Sequence, residues 1–425
     1  MARPRRPALK RRTRRGIGFA CVLAALAVAV GLVFFFVSRP GPSTGYTGTA
    51  AAHPDAGWNA LFQGYGNLSG AWSGGDGAQS LPMPDGSTIW FFADTFLGTT
   101  DPGGTRPGLS TGLAHNSAVL YRAGHLGPTY AQPPGPAGYS NTVDYTWVAP
   151  PPAYPASRYE LINGDQVLDG GVVYKFYQLA DRDLHPDKFP YKLVGTVVEA
   201  FSVNTATDTL TPAGGTPAGV DDSANGNPVI WGAATLVSGG YLYIYGVKPY
   251  NGSADPFPLY LARVPVGGLA AGQPWEYYDA GPGCSGATWT TDPRSARALR
   301  TGVSAGFSVT DVNGTFVLLT SDTASRRTTD NAVAYYASCP TGFGPDSPRY
   351  SVYQPHLPGG YLTYEYRIVP QFSHGSNVLV SYSTNTIRDA ENFSDATIYR
   401  PRFLDVTLPG IAGPAGPVTE PGPAP

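Results

Sequence analysis

Charge is scarce in this 425-residue chain: only 14% of its residues are Asp, Glu, Lys or Arg. Beside 54 Gly, 42 Pro and 27 Tyr, that composition excludes coiled coils, helical bundles and disordered solvating chains. No stretch between the termini reads as a convincing amphipathic helix, so strands and turns are expected to build the fold. Cysteine is scarcer still, with three in all. Cys21 lies in an apolar run, which leaves Cys284 and Cys339 as the one candidate external disulfide, both in Gly/Pro-rich loops (GPGCSG and YASCPTG). A single pair cannot form a structural zinc site without further ligands. The strong motifs are missing too. There is no G-x-S-x-G, HExxH, Walker loop or EF-hand loop, and the six His lack metal-ligand spacing.

The charge present is unevenly placed. Residues 1–39 carry nine of the 28 Lys and Arg and no acid, which leaves 19 basic against 30 acidic residues beyond them, a net of −11. An acidic body of that kind disfavours nucleic acid as a ligand and suits a neutral or cationic one. The basic residues of 1–15 read as a cytoplasmic segment ahead of a 22-residue apolar run, Gly16 to Val37, long enough to cross a bilayer as a helix. A cleaved signal peptide would have a shorter apolar stretch with a small-residue site just behind it, whereas the first A-x-A beyond the run is Ala50-Ala51-Ala52. An uncleaved signal anchor is the favoured reading, and under either reading the rest of the chain is expected outside the cytoplasm. Residues 38–57 read as a flexible linker and 409–425 as a disordered Pro/Gly tail.

Between these ends, five segments share one plan: small residues, a short apolar strand, a Gly turn, then a second apolar strand. They are 74–98, 162–182, 231–249, 302–323 and 367–386, with central turns at Gly86, Gly170, Gly239, Gly314 and Gly375. Further strand candidates (HNSAVLYRA, GTVVEAFSV, PLYLARVPV, AVAYYAS, YRPRFLDVTL) fill the gaps, and the Pro-rich stretch 126–157 is the largest insertion. Two hairpins per unit, five times over, predict an all-β, five-bladed β-propeller over 58–408. Strand spacing alone would also fit a pair of β-sandwiches. The small residues in matching phase before each inner strand, where blades crowd an axis, favour the propeller.

In such a ring, residues that open the inner strands meet at one mouth of the central channel, and the far end of the next strand returns to it. Asp76 (GGDGA) and Asp165 (INGDQ) open inner strands, and Asp94 (FFADTF) ends the strand that follows. Converging carboxylates suit glycoside hydrolysis, in which one acid must keep its proton while the other stays ionised. Asp before Gly also caps turns, so a purely structural role competes for each. Asp85 and Asp169 lie at hairpin bends and read as turn residues. His115 and Asn116 open the third strand of unit one, Trp231 opens unit three and Asp322 mirrors Asp94 in unit four; these are secondary candidates for substrate binding. For Trp231 a place between blades competes with stacking on a sugar.

The strings GGDGAQS…PDGSTIWFFADTFLG and NGDQV…DGG resemble secreted bacterial five-bladed propellers. These include domains of unknown function and the endo-D-arabinanases that act on mycobacterial arabinan, with the arabinanase and fructosidase propellers more distant. The resemblance spans 58–408 in repeat pattern and reaches motif level in the first unit. It implies hydrolysis by acidic residues at the channel mouth without a cofactor, with Asp76 and Asp94 in those places and Asp165 less firmly so. The sequence departs from the arabinanase group in unit three, which opens Trp231-Gly232-Ala233 where that group has a Glu-centred motif. The expected function is therefore an extracytoplasmic glycoside hydrolase acting on a polysaccharide, with furanose-containing polymers the first candidates. The alternative is a non-catalytic propeller that binds glycan or an envelope protein. No cofactor is expected, although carboxylates at a propeller mouth can hold a structural Ca²⁺. The scarcity of Arg at the blade openings disfavours a sialidase.

Overall fold

In the computed structural model the described residues are 45–422 without 136, 185–190, 250–256, 282, 324–330 and 414–415. The expected span 16–37 and its basic flank lie outside them. Among the described residues no helix is long and apolar enough to cross a membrane.

Each repeat closes into an antiparallel meander. Blade one runs Gln79–Pro82, Thr88–Phe92, Ser117–Arg122, His125–Tyr130, and blade two Tyr159–Asp169, Val172–Asp181, Lys192–Asn204, Thr209–Ala218. Blade three starts Ile230–Ser238, Tyr241–Val247, Phe257–Pro265, Glu276–Ala280, and blade four Phe307–Val312, Thr315–Ser321, Ala332–Ala337, Arg349–Tyr353. Blade five has Tyr361–His374, Asn377–Thr386 and Arg402–Thr407 from the C-terminal part of the chain. The first strand of each blade packs on the first strands of its two neighbours, and the fifth returns to the first, so the five sheets form a closed ring. All five expected turns are inner-hairpin bends. In blade three Gly239 and Gly240 have φ of +56° and +82°, the pair of left-handed residues that lets a two-residue turn follow strand twist.

The hydrophobic core is a set of seams between blades. Phe91, Leu161 and Val197 fill the first seam; Val317, Tyr366 and Val380 fill the fourth. Trp231 belongs to the seam between blades two and three, 3% exposed and packed with Phe176, Trp275 and Tyr277. The expectation that it stacks on substrate is therefore corrected, because its ring is spent on blade packing.

Three terminal expectations also change. The linker 38–57 is partly structured: Gly48–Thr49 pairs in parallel with Arg349–Tyr353, and Ala51–Pro54 is the outer strand of blade five, antiparallel to Arg402–Thr407. The chain's two ends thus close the last blade together. Next comes a helix, α1 (Ala56–Leu68), which the sequence reading did not find. Asp55 caps it by accepting from the Trp58 backbone N–H at 2.8 Å, and Trp58, Leu61, Phe62 and Tyr65 face inward at helical spacing. Gly57, Gly64 and Gly66 mask that pattern by lowering its helical propensity. Finally, the tail 409–425 does not hang free through its described part: Val418 is buried beside Trp58, Phe372 and Phe403, and the Trp58 indole donates to the Thr419 carbonyl at 2.9 Å.

Cys284 and Cys339 form the expected disulfide, closing a sequence separation of 55 residues. It staples the loop after blade three's fourth strand to the loop after blade four's third. Replacing both cysteines by serine is expected to cost about 2–4 kcal/mol of stability, read as a lower melting temperature; an unchanged melt would show that the seam holds without the staple.

Candidate functional site

The first three strands of blade one are each interrupted at the same level. Above the break they continue as a second small sheet, Trp72–Gly75, Thr95–Leu97 and Gly112–Ala114, with Asp144–Tyr145 from the long insertion added in parallel as a fourth strand. Asp76, Asp94 and His115 stand in the three gaps. Gly77, at φ +65°, turns the first strand through the break. Two backbone hydrogen bonds tie the first gap to the second, Asp76 N–H to the Asp94 carbonyl at 3.2 Å and Ala93 N–H to the Asp76 carbonyl at 2.9 Å. The two expected carboxylates are therefore cross-strand neighbours, held by main chain.

Their surroundings differ. Asp76 is 8% exposed; its Oδ2 accepts from the Tyr364 hydroxyl at 2.7 Å, and its Oδ1 has no hydrogen-bond partner among the described residues. Burial, then the charges of Asp94 and Glu365, push its carboxyl well above the usual range, while the hydroxyls of Tyr364 and Tyr399 pull the other way. Asp94 faces an imidazole. His115 Nδ1 lies 3.2 Å from Asp94 Oδ1, and Nε2 lies 3.0 Å from Asp144 Oδ1. Burial alone would lower the His115 pKa, but hydrogen bonds to Asp144 and Asp94 outweigh it and hold the ring well above its ordinary value. A doubly protonated ring can donate to both acids at once; a neutral one can donate to only one.

Three further acids join this mouth that sequence reasoning did not single out. Asp144, largely exposed, comes from the insertion. Glu160, in the first residues of blade two, is 7% exposed, with its Oε2 3.9 Å from both His115 Nδ1 and Arg182 Nη1. Burial raises its carboxyl, His115 lowers it and Asp94 raises it again. Glu365 lies in the register shift of blade five's inner strand, next to Tyr364. Tyr191, at the start of blade two's third strand, marks the convergence: its phenol is pushed well upward by burial and then by Glu160, Asp94, Asp76 and Glu365. A signal for the two glutamates was present in the sequence. Each stands two residues ahead of a repeat segment, Glu160 before the one at Ile162 and Glu365 before the one at Arg367.

The remaining expected site residues are used elsewhere. Asp165 sits within the bulge of blade two's inner strand and turns to blade three, where its Oδ2 accepts from Thr235 N–H at 2.6 Å and Thr235 Oγ1 at 3.0 Å. Its Oδ1 lies 3.6 Å from Arg367 Nη1, at a channel cavity of about 400 Å³ running toward the hairpin turns. Asn116, 1% exposed, clamps the insertion by donating to the Val148 carbonyl at 3.0 Å and accepting from Val148 N–H at 2.8 Å. Its amide is occupied by main chain, which corrects its expected part in substrate binding. Asp322 is buried in an ion pair with Arg349 and accepts from the Tyr46 hydroxyl at 2.6 Å, so it serves blade four and the N-terminal strand. The expected turn residue Asp169 bonds Gly267 and Leu269 N–H groups of the neighbouring blade. Among the described residues no group of three or more His, Cys, Asp or Glu is arranged to hold a metal ion.

Comparison with solved structures gives a chain from Bacteroides ovatus, provisionally described as a hydrolase, at a TM-score of 0.64 and 18% identity, covering 87% of this chain and 93% of that one. Bacillus subtilis levansucrase is similar at a TM-score of 0.44 and 11% identity, with 94% and 95% covered. Cellvibrio cellulosa α-L-arabinanase follows at 0.41 and 11%, with 79% and 93% covered. A search of curated proteins found no match. A sequence profile described as "Domain of unknown function (DUF5005)" matches residues 59–408, from within α1 to the end of Arg402–Thr407, and so all of the ring but the outer strand Ala51–Pro54. The chain belongs to the DUF5005 family.

Proposed function

We propose that the chain is a glycoside hydrolase that works outside the cytoplasm on a polysaccharide, with Asp76 and Asp94 as its two catalytic carboxylates. The observation that carries this reading is their opposed environments: two neighbouring acids, one buried and inclined to keep its proton, the other beside an imidazolium. Glycosidic cleavage asks for that division. Asp76 donates a proton to the leaving oxygen; Asp94, paired with His115 at 3.2 Å, acts on the anomeric carbon directly or through water. The solved relative provisionally described as a hydrolase agrees with this reading in fold. Formation of the Cys284–Cys339 bond supports an oxidising, extracytoplasmic location. The apolar run at 16–37 would supply the membrane anchor.

A mouth built only to bind glycan would present aromatic faces and amides. This one adds clustered carboxylates to its tyrosines, with Tyr364 bonded to Asp76, and its one expected amide, Asn116, is committed to main chain. Incubation with arabinans, arabinogalactan, fructans and xylans, read by mass spectrometry, is expected to release oligosaccharides from at least one of them. Asp76→Asn and Asp94→Asn should each lower the rate about 10²–10⁴-fold. Release that survives both substitutions would discard the site. No release, with polysaccharide retained in a pull-down, would mean a binding module.

The same assignment predicts a stability effect. A carboxyl whose folded pKa is raised contributes stability at low pH that is lost as pH rises through the folded value. Asp76→Asn should therefore melt above wild type at neutral pH, with the advantage shrinking toward about pH 4, where the unfolded-state carboxyl also takes up its proton. An equal or lower melt at neutral pH would contradict the assignment.

A further inference from the structure

The inner strand of blade five breaks its own alternation. Its register against the second strand shifts between Tyr364 and Arg367, and Glu365 inside the shift has a φ of +54°. That left-handed conformation is unfavourable for a residue with a side chain and is commonly kept where a site requires it. In blades one and three the corresponding kinks fall on Gly77 and Gly232, at φ of +65° and +79°. Here a glutamate takes the strained conformation. The kink aims two consecutive side chains at the mouth: Tyr364 reaches Asp76, while Glu365 lies across Gly77 and Gly306. A Cβ on Gly77 would come within 2.8 Å of Glu365 Oε2, and one on Gly306 within 2.5 Å of its Cγ. Both neighbours must therefore be glycine for the carboxylate to fit. Having entered, its Oε2 is sealed from solvent and finds no hydrogen-bond partner among the described residues.

A buried carboxylate oxygen without a hydrogen-bond partner among the described residues, on a strained backbone, is costly twice over. We infer that Glu365 is a positioning residue whose negative charge, set against Asp76 by the blade-five kink, keeps the catalytic proton on Asp76. The charges around it fit this part. Burial raises the Glu365 carboxyl, and Arg367 and the buried Lys175 oppose that rise. Lys175 also faces Asp165, and burial pulls its own pKa well down. Asp76 in turn faces Asp94, Glu365, Tyr364 and Tyr399, and it borders Tyr191. Of these, Asp94 is already turned to His115, which leaves Glu365 as the carboxylate that no imidazolium touches.

The inference rests on Asp76 as proton donor, yet it can be tested without turnover. The full-length protein is labelled with ¹³C at aspartate carboxyls, and the Asp76 resonance is identified by its loss in Asp76→Asn. In Glu365→Gln the Asp76 titration is expected to move to lower pH, and in an active enzyme the basic limb of the pH–rate profile moves with it. Glu365→Gly is the second variant; it accepts the left-handed backbone without strain and is expected to show the same shift with a melting temperature equal to or above wild type. An unmoved Asp76 titration in either folded variant would overturn the inference. So would a large loss of melting temperature in both, since Glu365 would then be holding the fold. A shifted titration in a protein that cleaves no glycan would sustain the coupling and remove the hydrolase reading.

Discussion

Everything at the mouth depends on how closely five inner strands can approach one axis. Regular strands with full side chains do not fit there, and the chain answers with kinks at one level of the ring. In blade three the kink is Gly232, where a Cβ would lie 2.2 Å from the Phe176 ring. In blade one it is Gly77, and the break runs on into the next two strands, splitting the sheet. Those splits free Asp76, Asp94 and His115 from strict alternation and turn them toward a common space. The site is thus a by-product of a packing constraint that the fold meets in any case.

The electrostatics of that space follow from its crowding. Asp76, Glu160 and Glu365 are buried close to further carboxylates, so they cannot all be charged at low cost. The chain settles the conflict by place. His115 supplies positive charge between Asp94 and Asp144, and Arg182 approaches Glu160. Asp76 receives only hydroxyls. Behind the mouth, Arg367 and Lys175 sit near Glu365 and Asp165, so the positive charge that offsets the inner acids lies deeper in the ring. This layering sets Asp76, whose carboxyl is raised by burial, apart from Asp94, which faces His115.

The scaffold above the break is held with comparable care. Arg106 and Arg400, both buried, spend their guanidinium groups on main-chain carbonyls: Arg106 on Ser73 and Ala396, Arg400 on Ser73 and Gln63. They bind the upper sheet of blade one to the end of blade five and to α1, the segments that bring Tyr399 to Asp76. Asn116 does the same for the insertion and so fixes Asp144 beside His115. The outer strand Ala51–Pro54 then locks the ring, because the last blade is complete only when residues from both ends of the chain pair.

Local chemistry determined the repeat. Gly-rich turns between β-rich runs, five times over, are a short-range signal, since turn geometry and strand alternation depend on neighbouring residues alone. They placed all five inner hairpins and, with them, Asp76 and Asp94. The disulfide followed from there being only two cysteines outside the apolar run. Long-range packing decided the rest. Whether Trp231 meets a sugar or a neighbouring blade, whether Asp322 meets substrate or Arg349, and whether Glu160 and Glu365 reach the mouth are questions about residues far apart in the chain. So are the docking of α1 and of the tail, whose apolar residues Trp58, Phe62 and Val418 are few and set among glycines and prolines. A carboxylate's role is set by what surrounds it, and around a propeller axis most of the surroundings come from other blades.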